Sequence, residues 1–160
     1  MKHGESLTFK QAVAQTADLG EWVWQPGLQA LGTDSQHIQC AETQRLGGSV
    51  NLDEALKSRY PAEPRWDYAL GWHRGSGEVA IWVEVHPAYT GEVEVVIRKL
   101  QWLRNWLATS APVLDSLTKH EENPFFWLAT GSVSITKNSP QARRLAKSGL
   151  RYPVRVLRLE

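Results

Sequence analysis

Two apolar stretches joined by a glycine-rich turn constrain this chain more than any other feature. Arg65-Trp66-Asp67-Tyr68-Ala69-Leu70-Gly71-Trp72 is followed, across Arg74-Gly75-Ser76-Gly77, by a second stretch from Glu78 to His86. Aromatic and β-branched residues bounded by such a turn predict an antiparallel hairpin. Pro61 and Pro64 force an extended approach to its first strand. Pro87 is expected to end pairing in the second, because it has no N–H to donate. Alternation along the second strand puts Trp82, Glu84 and His86 on one face and Ile81, Val83 and Val85 on the other. Each strand therefore carries a carboxylate, Asp67 or Glu84, among bulky apolar residues. A carboxylate is costly to desolvate unless it is paired, hydrogen-bonded or bound to a metal.

The rest of the chain supplies helices around that hairpin. Phe9, Val13 and Ala14 give a one-sided stripe within a helix predicted over Leu7 to Asp18, ended by Gly20 and the Gln25-Pro26-Gly27 turn. Leu28 to Ser49 has no clear period, apart from a short strand expected near His37 to Ala41 and a turn at Gly47-Gly48. Asn51 or Asp53 is placed to cap a short helix running through Leu56 towards Tyr60. After Pro87, the residues Val93, Val96, Ile97, Leu100, Leu103 and Leu107 recur at helical spacing and predict a long helix from Gly91 to Ala108. Pro112 and the polar run Lys119 to Pro124 are expected to form a linker. A strand from Phe125 to Ile135 follows, then a helix capped by Ser139, begun by Pro140 and closed by Gly149, then a strand from Pro153 to Leu159. This order of elements predicts one α/β domain over residues 1–160, a mixed central sheet flanked by helices.

Composition narrows the setting. No apolar run reaches the length of a membrane span, since the longest, Val93 to Leu107, is broken by Glu94, Arg98, Lys99, Gln101, Arg104 and Asn105. The first residues lack the apolar core of a signal peptide, and Cys40 is the sole cysteine, so the expected home is the reducing cytoplasm, away from membranes. The net charge of +1 hides a basic end: Lys137, Arg143, Arg144, Lys147, Arg151, Arg155 and Arg158 stand against Glu160 alone. Arg143, Arg144 and Lys147 share one surface of the predicted final helix and are candidate contacts for nucleic-acid phosphates, as is Lys99; the plain alternative is a solvated helix face. The eight tryptophans serve chiefly as core anchors.

The two acids, the strand pair and the helix after it resemble the PD-(D/E)xK, restriction-endonuclease-like nuclease superfamily. Asp67 in Trp66-Asp67-Tyr68 matches the family's first acid, and Glu84 in Glu84-Val85-His86 matches the second. His86 stands where the family usually has lysine. The resemblance covers roughly the middle half of the chain. It implies a hydrolase acting on DNA phosphodiesters, with Asp67 and Glu84 holding magnesium or manganese in a cleft. Two carboxylates supply the hard oxygen ligands these ions take, and a bound water then ionises more readily. His86 would serve as a base near neutral pH, and Lys99 on the long helix would supply the missing cation. Glu42 would add an acid from the N-terminal part, as in some members of that family.

Weaker features and rival readings accompany this one. His37 and Cys40 have a spacing that can bind metal but lack partner ligands. Asp67 can brace a turn through backbone donors, and Glu84 can pair with a neighbouring cation, with no reaction involved. The replacement of the motif lysine by histidine suits a nuclease-like fold that has lost catalysis and serves as a binding module. A third reading is a subunit that associates through its tryptophans, with a second copy of the chain (a homo-oligomer) among the partners.

Overall fold

The computed structural model of the protein describes residues 7–160. Its centre is a mixed five-stranded sheet in the order β1 (Trp24–Gln25), β3 (Leu46–Asn51), β4 (Tyr68–Arg74), β5 (Gly77–Tyr89), β6 (Phe125–Ser134). All neighbours are antiparallel except β5 and β6, which run parallel. A parallel pair needs a crossover, and here helices α3 (Val93–Ser110) and α4 (Pro112–Lys119) provide it. The α/β architecture expected from the sequence is therefore present.

The hairpin β4–β5 closes through Gly75-Ser76, with Gly75 at φ +61°, the positive φ that a two-residue hairpin turn asks of its first position. Its register pairs Tyr68 with Val83 and Ala69 with Trp82, which sorts the side chains to two faces. On one face Ala69, Ala80, Trp82 and Trp127 pack against α3, α4, helix α1 (Phe9–Ala14) and helix α2 (Leu52–Leu56). On the other, Leu70, Trp72, Ile81, Val83 and Leu128 pack against Leu31, Ile38, Leu157 and Leu159. These last come from a 3-10 segment, Gln29–His37, and a small parallel sheet of β2 (Ile38–Cys40) and β7 (Leu157–Leu159).

Local chemistry explains the short helices. Thr8 and Gln11 form a reciprocal capping box at the start of α1, and the first N–H of that helix donates to Glu78 Oε1 at 2.8 Å. The absence of a side chain at Gly71 lets α1 lie directly on β4, since a Cβ there would stand 2.5 Å from Phe9 Cβ. Asn51 caps α2 through the N–H of Glu54 at 3.0 Å. Helix α5 (Pro140–Ser148) has Ser139 as its cap and left-handed Gly149 at its end, as the sequence predicts.

Several boundaries differ from expectation. Residues Pro112–Lys119 form α4, because Pro112 opens the helix and Leu114 and Leu117 are buried one turn apart. Strands β1 and β3 complete the sheet edge; β1 takes up Gln25 of the expected turn, and β3, which begins in the segment without a clear period, is too glycine-rich to show alternation. The final strand is only Leu157–Leu159 and lies in the small sheet. Strand β5 passes through Pro87 to Tyr89. Trp82 N–H donates to Pro124 on the β6 side, so alternation turns the nitrogens of Val85 and Pro87 to the other edge, where β4 has already ended. Proline costs no ladder bond there.

Candidate active site

Strand register brings the two acids together. Asp67 is the residue just before β4, and one step beyond the Tyr68–Val83 pair it stands opposite Glu84. Its backbone is pinned from two sides: its carbonyl accepts from the N–H groups of Leu52 and Asp53 at 2.8 and 3.3 Å, and its N–H donates to Glu84 Oε1 at 3.3 Å. Trp66 beside it is buried against Phe125, which fixes the direction of entry. The Asp67 side chain then reaches across the sheet edge, where Oδ2 accepts from Val85 N–H at 2.9 Å. That bond supplies the partner that β4 would have provided had it continued.

Helix α3 adds the cation. Lys99 Nζ bonds directly to Glu84 Oε2 and lies 3.5 Å from Asp67 Oδ1. Glu84 is 0 % exposed, whereas Asp67, Lys99 and His86 keep a fifth or so of their side-chain surface in contact with solvent. His86 lies along β5 with Nδ1 at 3.6 Å from Glu84 Oε2. Its Nε2 meets Glu92 Oε1 at 2.6 Å, from the 3-10 turn Thr90–Glu92 that leads into α3. The His86 backbone carbonyl accepts from Trp127 Nε1 at 3.0 Å, which ties the β5 backbone there to a β6 side chain. The cluster thus runs Asp67, Lys99, Glu84, His86, Glu92.

Its charges are unevenly balanced. Burial, and then the neighbouring Glu84 carboxylate, push Asp67 up to about 7, against the opposing pull of Lys99. Burial disfavours the Lys99 ammonium, but Glu84 and Asp67 outweigh that cost and raise its pKa. His86 is raised chiefly by its contact with Glu84, against burial, with Glu92 adding to the rise. Asp67 is therefore an acid whose charged form this setting disfavours, the Lys99 ammonium only partly offsetting burial and Glu84. A further cation would relieve it.

The donor set can be weighed against magnesium or manganese on that basis. Among the described residues, no group of three or more His, Cys, Asp or Glu side chains is arranged to hold a metal by itself. Magnesium usually takes one or two carboxylates and fills its remaining positions with waters and substrate phosphates. Asp67 and Glu84 supply two carboxylates that converge on one ammonium group, the number such an ion would need, although Glu84 is covered and both its oxygens are already engaged.

The other sequence candidates lie elsewhere. Glu42 is a correction: it is exposed and pairs with Arg45 at 3.1 Å, far along the chain from α3, and takes no part in the cluster. Glu92 is the acid that joins instead; one turn residue at the start of a helix carries no periodic signal that could mark it out. His37 is exposed before β2 and Cys40 is half-buried within it, with no metal-binding group around them among the described residues. The expected open cleft is also corrected, because Glu84 is wholly covered. Arg143, Arg144 and Lys147 sit together on exposed α5. Lys99 is not with them; its ammonium is committed to the two acids. Among the described residues, no helix is long and apolar enough to cross a membrane. No family model, no curated protein and no solved structure matches this chain.

Proposed function

We propose that this chain is a divalent-metal-dependent phosphodiesterase with a restriction-endonuclease-like site, acting on DNA. The observation that carries the reading is the meeting of Asp67, Glu84 and Lys99 from three different elements: a strand end, a central strand and the crossover helix. Desolvating three charged groups at one point costs several kcal/mol per ion before compensation, and perturbed titratable clusters of that kind concentrate at functional sites. The cation that the motif usually carries on the strand arrives here from α3, in the form of Lys99.

Asp67 and Glu84 would hold magnesium or manganese, which supplies an ionisable bound water and offsets charge on the scissile phosphate. Lys99 holds the two carboxylates together and presents positive charge beside them. His86, held by Glu84 on one side and Glu92 on the other, would act as the base beside the two acids. Burial of Glu84 keeps bulk water from its carboxylate, so its interactions with cations are less screened than at the surface.

One observation favours a second reading. Glu84 is fully covered and already paired, as befits a self-contained ionic brace in a nuclease-like binding module that has lost catalysis. A calorimetric titration with manganese separates the two. The enzyme reading expects one site on the wild type and its loss in Asp67→Ala. Identical heats for both proteins would leave the brace as the function of the cluster.

A further inference from the structure

A second polar feature lies on the other side of α3. Helices α3 and α5 border a groove of about 440 Å³, lined by Arg104, Arg143, Arg144 and Lys147 around an apolar floor that includes Ile97 and Leu100. Four cations face this space. Among the described residues, only Arg144 has an acid partner, Glu94 at 2.6 Å; Arg143 and Lys147 have none within 4 Å. Arg104 Nη1 donates to the Ser148 carbonyl at 2.8 Å and its guanidinium lies over the Phe125 ring at 5.0 Å. It is therefore held in place with donors to spare. Partial burial lowers the pKa of the Arg104 guanidinium. Gly149, in the left-handed conformation, makes room for it: a Cβ there would stand 2.5 Å from Nη2.

The geometry points to the α3–α5 groove as a docking site for the phosphate backbone of DNA, with Arg104, Arg143, Arg144 and Lys147 as its contacts. This rests on the phosphodiesterase reading for the choice of polyanion, and it assigns the part of the substrate away from the reacting phosphate. The placement suits that role. Glu94, which holds Arg144, is two residues from Glu92, which holds His86, so the first turn of α3 links a groove cation to the carboxylate cluster. Thr90 of that turn also bonds Thr136 in the approach to α5, which joins the two structures further. Contacts from these cations to phosphate oxygens carry no base information, so the binding expected is insensitive to sequence.

The test is fluorescence-anisotropy titration of labelled single-stranded and duplex DNA in EDTA at 50 and 200 mM salt. Without metal, no cleavage contributes, and binding through the groove is read apart from any reaction at Asp67 and Glu84. Wild type is compared with Arg143→Glu/Lys147→Glu, with Gln101→Lys, which adds a cation to an exposed groove position, and with Lys119→Ala, which removes an exposed charge on α4. The expected result is at least a tenfold loss for the double variant, with a salt slope lower by about 1.5–2 for two lost phosphate contacts. Gln101→Lys should bind more tightly and Lys119→Ala should match wild type. Equal affinity and slope for wild type and the double variant, an equal loss in Lys119→Ala, or no binding by the wild type would each overturn the assignment. Binding through the groove with no metal-dependent cleavage would instead sink the phosphodiesterase reading and leave the groove standing.

Discussion

At the scale of single residues, Lys99 and Asp67 carry the greatest stakes. Removing one partner of a buried ion pair leaves an uncompensated charge, which typically costs about 3–5 kcal/mol. Lys99→Met is therefore expected to destabilise the fold by roughly that amount through the stranded Glu84. Adding Glu84→Gln to it should restore part of the loss, and chemical denaturation of the two single variants and the double variant measures the coupling. Asp67 gives a pH signature. Its folded pKa of about 7 lies well above its ordinary value, so between about pH 4 and 7 the folded state keeps a proton that the unfolded chain releases. Stability must fall as pH rises through that window and level off above it. The raised His86 works in the same direction: its contribution is full below its ordinary value and fades as pH passes the raised one. Asp67→Asn should flatten the acid half of the decline and raise the melting temperature above pH 7. An unchanged pH–stability profile in that variant would show that Asp67 is not held protonated.

At the scale of elements, the most legible parts of the chain are those with a strong period or a marked turn. Alternation from Ile81 to His86 placed Glu84 and His86 on one face, and the spacing of Val93 to Leu107 gave α3 within two residues at either end. The convergence of Asp67 with Glu84 follows from the register of β4 and β5, which the Gly75-Ser76 turn fixes. What escaped has identifiable reasons. Helix α4 is eight residues long and sits behind a proline, so it reads as a linker until Leu114 and Leu117 are seen buried. Strand β3 contains Gly47 and Gly48, and its pairing depends on β1 and β4, partners distant in sequence. Pro87 ends a strand only where its nitrogen faces a paired neighbour, a condition set by the end of β4. Glu92 is visible only through the ring of His86. The docking of α1 can be tested at Gly71: Gly71→Ala would force Cβ against Phe9 and should cost about 1–3 kcal/mol of overpacking. A thermal melt reads that cost directly, and an unchanged melting temperature would mean that α1 yields freely.

At the scale of the whole molecule, two polar features occupy opposite flanks of one helix. One side of α3 turns Lys99 towards Asp67 and Glu84, beside the sheet edge; the other turns Arg104 towards the cations of α5. A net charge of +1 conceals both the acids of the cluster and the cations that line the groove. The central claim is that the cluster hydrolyses DNA with a divalent metal. Its most direct measurement is cleavage of a labelled DNA duplex and its single strand by purified protein with manganese or magnesium, using wild type, Asp67→Asn and Lys99→Met. The account predicts cleavage that requires the metal, stops with EDTA, and falls by about a hundredfold or more in each variant, as when a charge-stabilising group is removed from a reacting centre. No cleavage by the wild type with either metal, or equal rates in wild type and Asp67→Asn, would contradict it.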